Sequence, residues 1–193
     1  MVPVKNNTMA HIAIISGSVR IDRRSHRVAL YFKKFIEEHQ LATVEILDLM
    51  EYDFPLFNER LHLQKDPLPK TKEFAEKIVA ADGVLIVTPE YNGGYPASVK
   101  NITDLLYNEW KRKPLAITTV SNGPFGGTQV ITSLLFTLWK IGAWIAPAMF
   151  PVPKVNESFD ENGNAIDKEA TDKRATVFIN ELMWCIHAKE AMS

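Results

Sequence analysis

The residues with the clearest chemical potential lie in three short loops that combine hydroxyl groups, glycines and charged side chains. The first is residues 16–25, Ser-Gly-Ser-Val-Arg-Ile-Asp-Arg-Arg-Ser, which leads into a helical pattern. A helix N-terminus presents unpaired amides and the positive end of the helix dipole, and both favour an anion. The loop therefore predicts a phosphate site, in which the short donors Ser16, Ser18 and Ser25 join a charge-assisted bond from Arg20.

The glycine pattern of this loop narrows the kind of phosphate site. The stretch lacks the terminal Gly-Lys of a Walker A loop, and it lacks the three spaced glycines of a dinucleotide loop. It therefore predicts a monophosphate held by side chains as well as by the main chain. A plain helix cap with solvated arginines is the alternative that the residues leave open.

The other two loops carry paired glycines. Residues 88–96 read Thr-Pro-Glu-Tyr-Asn-Gly-Gly-Tyr-Pro, and residues 121–127 read Ser-Asn-Gly-Pro-Phe-Gly-Gly before a further helical pattern. Adjacent glycines permit a close backbone approach and positive φ angles, so a flat ring could rest there with amides at its edge. Tyr91 and Tyr95 offer aromatic walls for such a ring. An ordinary turn is the alternative for each loop.

Strand and helix patterns alternate along the chain and place the three loops at one edge of one sheet. Continuous β-branched apolar runs predict strands that are buried on both faces, and apolar residues three or four apart predict the helices between them. This alternation predicts an α/β fold, a parallel sheet with helices on both faces. Ligands of such sheets bind beyond the carboxyl ends of the strands, where these loops lie. The five predicted strands are residues 11–15, 43–47, 83–88, 114–120 and 144–149.

Composition and charge exclude several classes of protein. The formal net charge is -1 without a block of like charges, which argues against a nucleic-acid or anionic-membrane partner. We see no signal peptide, and no apolar run reaches the roughly 20 residues of a membrane span. The single cysteine, Cys185, lies in an apolar helical stretch, and the histidines have no metal-ligand spacing. We therefore expect a cytoplasmic protein without a metal site, with a flexible leader at residues 1–10 and one domain at residues 11–193.

An irregular segment and two tryptophans indicate self-association. Residues 50–69 have no regular pattern and include the aromatic stretch from Tyr52 to Phe57. Trp139 and Trp144 bracket the boundary between the fourth main helix and the fifth strand, where core or dimer packing would bury them. Because this is more apolar surface than one small domain readily covers, we expect a homodimer or a dimer of dimers.

Two motifs give the chain a family resemblance. The first is Gly17-Ser18-Val19-Arg20 followed by Ser25, and the second is the long run Pro-Glu-Tyr-Asn-Gly-Gly-Tyr-Pro-Ala-Ser-Val-Lys-Asn at residues 89–101. On these motifs the sequence resembles the NADPH-dependent FMN reductase family over about residues 11–182, including the stretch Phe-Asp-Glu-Asn-Gly at residues 159–163. One departure is that Thr128 and Gln129 follow the double glycine of the third loop, where relatives often have an arginine.

The resemblance implies a flavodoxin-like three-layer sandwich with strand order 2-1-3-4-5 and non-covalently bound FMN. It also implies a homodimer or homotetramer with the site near the subunit interface. By the resemblance, the phosphate is held by Ser16, Ser18, Arg20 and Ser25. The isoalloxazine is flanked on one side by Pro89, Glu90, Tyr91 and Asn92, with Gly93 next to the ring, and on its other edge by Ser121 and Gly123.

The expected activity is electron transfer from NADPH or NADH to a small acceptor by a ping-pong mechanism. The acceptor could be a flavin, a quinone, an azo compound or a metal ion. No dedicated catalytic acid or base is expected, because a flavin carries the redox chemistry and the protein positions and tunes it. Two alternatives remain at this point: a flavodoxin-type electron carrier, and a flavin-free regulatory module on the same fold.

Overall fold

A computed structural model describes residues 9–192 and contains a five-stranded parallel sheet of order β2-β1-β3-β4-β5. The predicted leader therefore lies outside the described residues, apart from its last two. The predicted fold class and strand order are confirmed. The strands are β1 (His11–Ser16), β2 (Thr43–Asp48), β3 (Gly83–Pro89), β4 (Pro114–Val120) and β5 (Trp144–Val152).

Helices cover both faces of this sheet. On one face lie α1 (Ser25–Glu38) and α7 (Lys168–Ala191), and on the other lie α3 (Pro69–Ala80), α4 (Ala97–Leu105) and α5 (Gln129–Lys140). Two single-turn helices complete the set, α2 (Leu49–Tyr52) and α6 (Val155–Ser158), together with 3₁₀ turns at Leu61–Leu63 and Asn108–Trp110. No helix among residues 9–192 is both long enough and apolar enough to cross a membrane.

The central strands are apolar on both sides because each face of the sheet packs against a helical layer. In β1, Ile12 and Ile14 join the core beneath α1 and α7, whereas Ala13 and Ile15 join the core beneath α3 and α4. Every residue of β3 and β4 is buried. This two-sided burial explains why these strands read as continuous apolar runs rather than as an alternating pattern.

The fifth strand is longer than its apolar pattern indicates. It continues to Val152 rather than ending at Met149, and it includes two prolines. The pairing with β4 shifts register between Leu115 and Ile117, opposite the exposed Pro147. Because β5 is an edge strand, a proline at an irregularity interrupts the ladder on one side only, and the strand persists beyond it.

The cysteine, the two tryptophans and the aromatic segment differ in how far the chain buries them. Cys185 is fully buried, and its burial raises the pKa of its thiol. Trp144 packs partly against the core with its ring at right angles to that of Trp184, whereas Trp139 is 66% exposed. In the irregular segment, the rings of Tyr52 and Phe54 stack at 5.1 Å and cover Phe74 within the same chain.

Candidate functional site

The loop between β1 and α1 is held tightly against the neighbouring strand and helix. The amide of Gly17 donates to the carbonyl of Val87 over 2.9 Å, and the hydroxyl of Ser98 donates to the carbonyl of Gly17 over 2.6 Å. A Cβ atom at Gly17 would lie 2.7 Å from a methyl group of Val99 and 2.9 Å from the carbonyl oxygen of Val87. Only glycine fits this approach, which brings the loop to the carboxyl ends of β1 and β3.

Ser25, the first residue of α1, is the clearest sign of an anion site. Its side chain is 3% exposed, and its Oγ atom has no hydrogen-bond partner among the described residues. A buried hydroxyl without a partner is costly unless a ligand or a water molecule satisfies it. Ser25 therefore supplies an unused donor at a helix N-terminus, where a phosphate would also meet the helix dipole.

The three arginines of the loop differ in their partners. Arg23 makes a two-point ion pair with the buried carboxylate of Asp48, and Arg24 pairs with Asp22 over 2.8 Å. Arg20 makes no ion pair with any described carboxylate, and its guanidinium lies 5.8 Å from the centre of the Tyr91 ring. Of these arginines, Arg20 is thus the one whose charge is not already matched by a carboxylate within 4 Å.

Ser16 lies beneath the loop rather than within the cleft. It is fully buried, and its hydroxyl is hydrogen-bonded to Nδ1 of His26 over 3.0 Å. The same nitrogen lies 3.5 Å from the carboxylate of Asp48. Burial lowers the pKa of His26, and the negative charge of Asp48 partly opposes that shift. This buried cluster ties the ends of β1 and β2 to the start of α1.

The second loop is a tight hairpin turn at its tip. Tyr91 and Gly94 exchange two backbone hydrogen bonds of 2.8 and 3.0 Å, and between them Asn92 and Gly93 have φ angles of 51° and 81°. Positive φ at both central residues is the signature of a type I′ turn, for which Asn-Gly is a preferred sequence. The amides of Asn92 and Gly93 make no hydrogen bond within the described part of the chain and are exposed.

The third loop packs against the second. The amide of Gly123 donates to the hydroxyl of Ser121 over 3.0 Å, and the hydroxyl of Thr119 donates to the carbonyl of Gly126 over 2.8 Å. Gly127 has a φ of 75°, and a Cβ atom there would lie 3.3 Å from the Cβ of Glu90. The close fit of Gly127 therefore sets the distance between the second and third loops.

A solvent-open cleft of about 140 Å³ lies where the three loops meet. Ser18 and Tyr91 join its two sides through a hydrogen bond of 2.6 Å between their hydroxyl groups. Ser16, Asn92, Gly93 and Gly123 do not line the cleft. The expected site residues that line it are Ser18, Arg20, Ser25, Pro89, Glu90, Tyr91 and Ser121.

Some lining residues were not identified from the sequence. Asp22, Asn122 and Val155 line the cleft together with Arg24, whose guanidinium donates to the side-chain oxygen of Asn156 in α6. Nothing in the sequence marks Asn156, because it lies 132 positions from its partner. Asp48 did carry a usable signal, since it is a carboxylate that directly follows a predicted buried strand at the ligand-binding edge.

Known proteins resemble this chain over most of its length. Residues 10–157 match the family described as NADPH-dependent FMN reductase. An NAD(P)H-dependent FMN reductase of Schizosaccharomyces pombe is 34% identical over 142 residues, which cover 72% of this chain and 70% of the relative. A quinone reductase of Pseudomonas putida is 35% identical over 122 residues, 60% of this chain and 62% of the relative.

A solved structure extends the similarity to nearly the whole chain. The flavoenzyme NAD(P)H:(acceptor) oxidoreductase FerB from Paracoccus denitrificans superposes with a TM-score of 0.75 at 25% sequence identity. The superposition covers 91% of this chain and 97% of that protein.

Proposed function

Since the chain belongs to the NADPH-dependent FMN reductase family, we propose that the cleft between its three loops binds FMN with the phosphate at the start of α1. Membership makes the chain an NAD(P)H-dependent oxidoreductase that uses FMN as its cofactor. The two alternatives left open by the sequence, a flavodoxin-type electron carrier and a flavin-free regulatory module, are therefore rejected. The observation that supports the phosphate position is the buried, unpartnered hydroxyl of Ser25, in a cleft that is also lined by Arg20, whose charge no carboxylate matches.

The residues present fit an FMN phosphate. Ser18 and Ser25 offer hydroxyl donors, Arg20 offers a positive charge, and the first turn of α1 offers amides to an anion. Ser16 would act indirectly, by fixing the start of α1, because its hydroxyl is hydrogen-bonded to His26 at the second position of that helix. This donor set matches the three acceptor oxygens of a phosphate monoester.

The second and third loops would hold the isoalloxazine ring. Pro89 and Glu90 face the cleft, and Asn92 and Gly93 present exposed amides that no group of the described chain uses. Ser121, with Gly123 bound to its hydroxyl, would border the opposite edge. Bound FMN would accept two electrons from the nicotinamide and pass them to the acceptor, while these loops fix the ring's orientation and tune it through hydrogen bonds.

The acceptor and the kinetic order follow from the open cleft. A cleft that faces solvent admits a small planar molecule, and a quinone is the acceptor named for the Pseudomonas putida relative. We infer that a quinone receives the electrons, or another small acceptor that can enter the cleft, such as a flavin, an azo compound or a metal ion. Because donor and acceptor would use the same opening in turn, steady-state kinetics should be ping-pong.

We also infer that the protein is a cytoplasmic homodimer or homotetramer. Exposed apolar side chains support self-association, with Leu56 at 82%, Phe136 at 64% and Trp139 at 66% exposure. The absence of a disulfide partner for Cys185 fits a reducing compartment.

The decisive experiment combines a spectrum with an assay. The purified protein loaded with FMN should show the bands of bound oxidised flavin, lose them on anaerobic addition of NADPH or NADH, and regain them on addition of a quinone. If isothermal titration of correctly folded protein detects no FMN binding, the assignment of the cleft fails. If FMN binds but no acceptor restores the spectrum, the proposed acceptor class is wrong.

A further inference from the structure

The hydroxyl of Tyr91 lies against the loop between β1 and α1, although Tyr91 itself is part of the second loop. It is 2.6 Å from the hydroxyl of Ser18, which is 73 positions away, and both residues line the cleft. The ring of Tyr91 also lies beneath the guanidinium of Arg20, at 5.8 Å from its centre. Two of the residues proposed to hold the phosphate therefore contact the Tyr91 side chain, one through its hydroxyl and one through its ring.

The hydrogen bond between the two hydroxyls leaves one donor unused. Either hydroxyl can donate to the other, and the amide of Arg20 also points at the Ser18 oxygen over 3.4 Å. Whichever hydroxyl donates, the proton of the other has no acceptor among residues 9–192. An anionic oxygen in the cleft could accept from both hydroxyls at once, and bonds to a charged acceptor are stronger than the neutral pair they replace.

We propose that the Tyr91 hydroxyl is a binding group for the FMN phosphate and that it links the phosphate loop to the ring-side loop. The inference rests on the proposed function and deepens it, because it assigns the side chain of Tyr91 to the phosphate end while the main chain beside it serves the ring. It follows that Tyr91 discriminates FMN from riboflavin, which has the same ring and lacks the phosphate.

The variant that tests this is Tyr91→Phe, whose dissociation constants for FMN and for riboflavin are measured by flavin fluorescence and compared with those of the wild type. Loss of one hydrogen bond to a charged acceptor should weaken FMN binding by about tenfold or more, and riboflavin binding should change by less than about twofold. Tyr52→Phe is the matched control. It also removes a tyrosine hydroxyl, but that hydroxyl bonds to Glu73 and Tyr52 does not line the cleft, so both affinities should be retained.

Two results would overturn the inference. Equal weakening of FMN and riboflavin binding would show that Tyr91 acts on the ring or on folding. Unchanged affinities for both flavins would show that the Tyr91 hydroxyl has no role in binding. A wild-type protein that bound no FMN would instead refute the proposed function. Unfolding of the flavin-free variant, followed by circular dichroism, should match that of the wild type, because the aromatic ring is retained.

Discussion

At the scale of single residues, the loop between β1 and α1 shows how one arginine among several remains without a carboxylate partner. Asp48 engages Arg23 and Asp22 engages Arg24, so most of the positive charge of the loop is already compensated. The pKa of Asp22 is lowered by its hydrogen bond to Arg24, as expected for a carboxylate held beside a guanidinium. Arg20 keeps its charge for the cleft.

The first prediction follows from this division. Arg20→Ala should weaken FMN binding by about ten- to a hundredfold, because one charge-assisted contact of about 1.5–3 kcal/mol is lost. Saturating FMN should restore most of the turnover, since the ring-side loops are intact. Stopped-flow and steady-state kinetics at several FMN concentrations check this. Arg24→Ala is the control and should have the smaller effect; a larger loss there would contradict the assignment of Arg20.

A second prediction concerns Ser25, whose hydroxyl has no partner without a ligand. Ser25→Ala should leave the melting temperature of the flavin-free protein unchanged or slightly higher, because an unsatisfied buried hydroxyl is removed. The rise in melting temperature on adding FMN should shrink, because stabilisation by a ligand scales with its affinity. Thermal melts with and without FMN measure both effects.

The control for Ser25 is Ser133→Ala, a change in α5 outside the cleft residues. It should leave the FMN-induced rise in melting temperature unaltered. If Ser25→Ala also leaves that rise unaltered, the hydroxyl of Ser25 does not contact the ligand.

At the scale of elements, the site depends on how closely the β1–α1 loop approaches β3 and α4. A third prediction is that Gly17→Ala lowers the free energy of unfolding by about 1–3 kcal/mol, because the new Cβ would overlap Val99 and the Val87 carbonyl. The displaced loop should weaken FMN binding more than riboflavin binding, because this loop is proposed to hold the phosphate that riboflavin lacks. Gly94→Ala, whose Cβ would meet only the Tyr91 carbonyl at 3.8 Å, should change stability much less in chemical denaturation.

A fourth prediction concerns the buried cluster that joins β1, β2 and α1. Because burial lowers the pKa of His26 in the folded state, the unfolded state takes up a proton first as the pH falls through about 6.5. The free energy of unfolding should therefore decrease as the pH falls from about 6.5 to the lower pKa that His26 has in the folded state. His26→Gln should make this decrease smaller. Urea unfolding at several pH values between about 7.5 and 5.5 measures the slope; an equal slope in both proteins would exclude His26 as its source.

At the scale of the whole molecule, exposed apolar side chains on α5 support the proposed self-association. Phe136 and Trp139 lie side by side on α5, with ring centres 6.0 Å apart, and both are about two-thirds exposed. The fifth prediction is that light scattering at micromolar concentration gives a mass at least twice the 21.8 kDa of one chain. A monomeric mass would contradict the proposed assembly and leave the cleft assignment intact.

The sequence by itself determined the features that depend on neighbouring residues. Apolar runs such as Gly83 to Thr88 identify buried strands, and Asn92-Gly93 selects a turn that needs two positive φ angles. The order of strands and helices then places three loops at one edge of the sheet. The α/β fold class was therefore accessible without coordinates, because it follows from local pattern and chain connectivity, whereas the strand order was implied by the family resemblance.

Only the tertiary structure decided which of the candidate groups have partners. Ser16, Ser18 and Ser25 look alike in the sequence, yet the first is bonded to His26, the second to Tyr91, and the third has no partner among the described residues. Hydrogen bonds and ion pairs depend on distances of a few ångströms between residues far apart in the chain. Packing sets those distances, and it thereby decides which donors in the cleft remain available to a ligand.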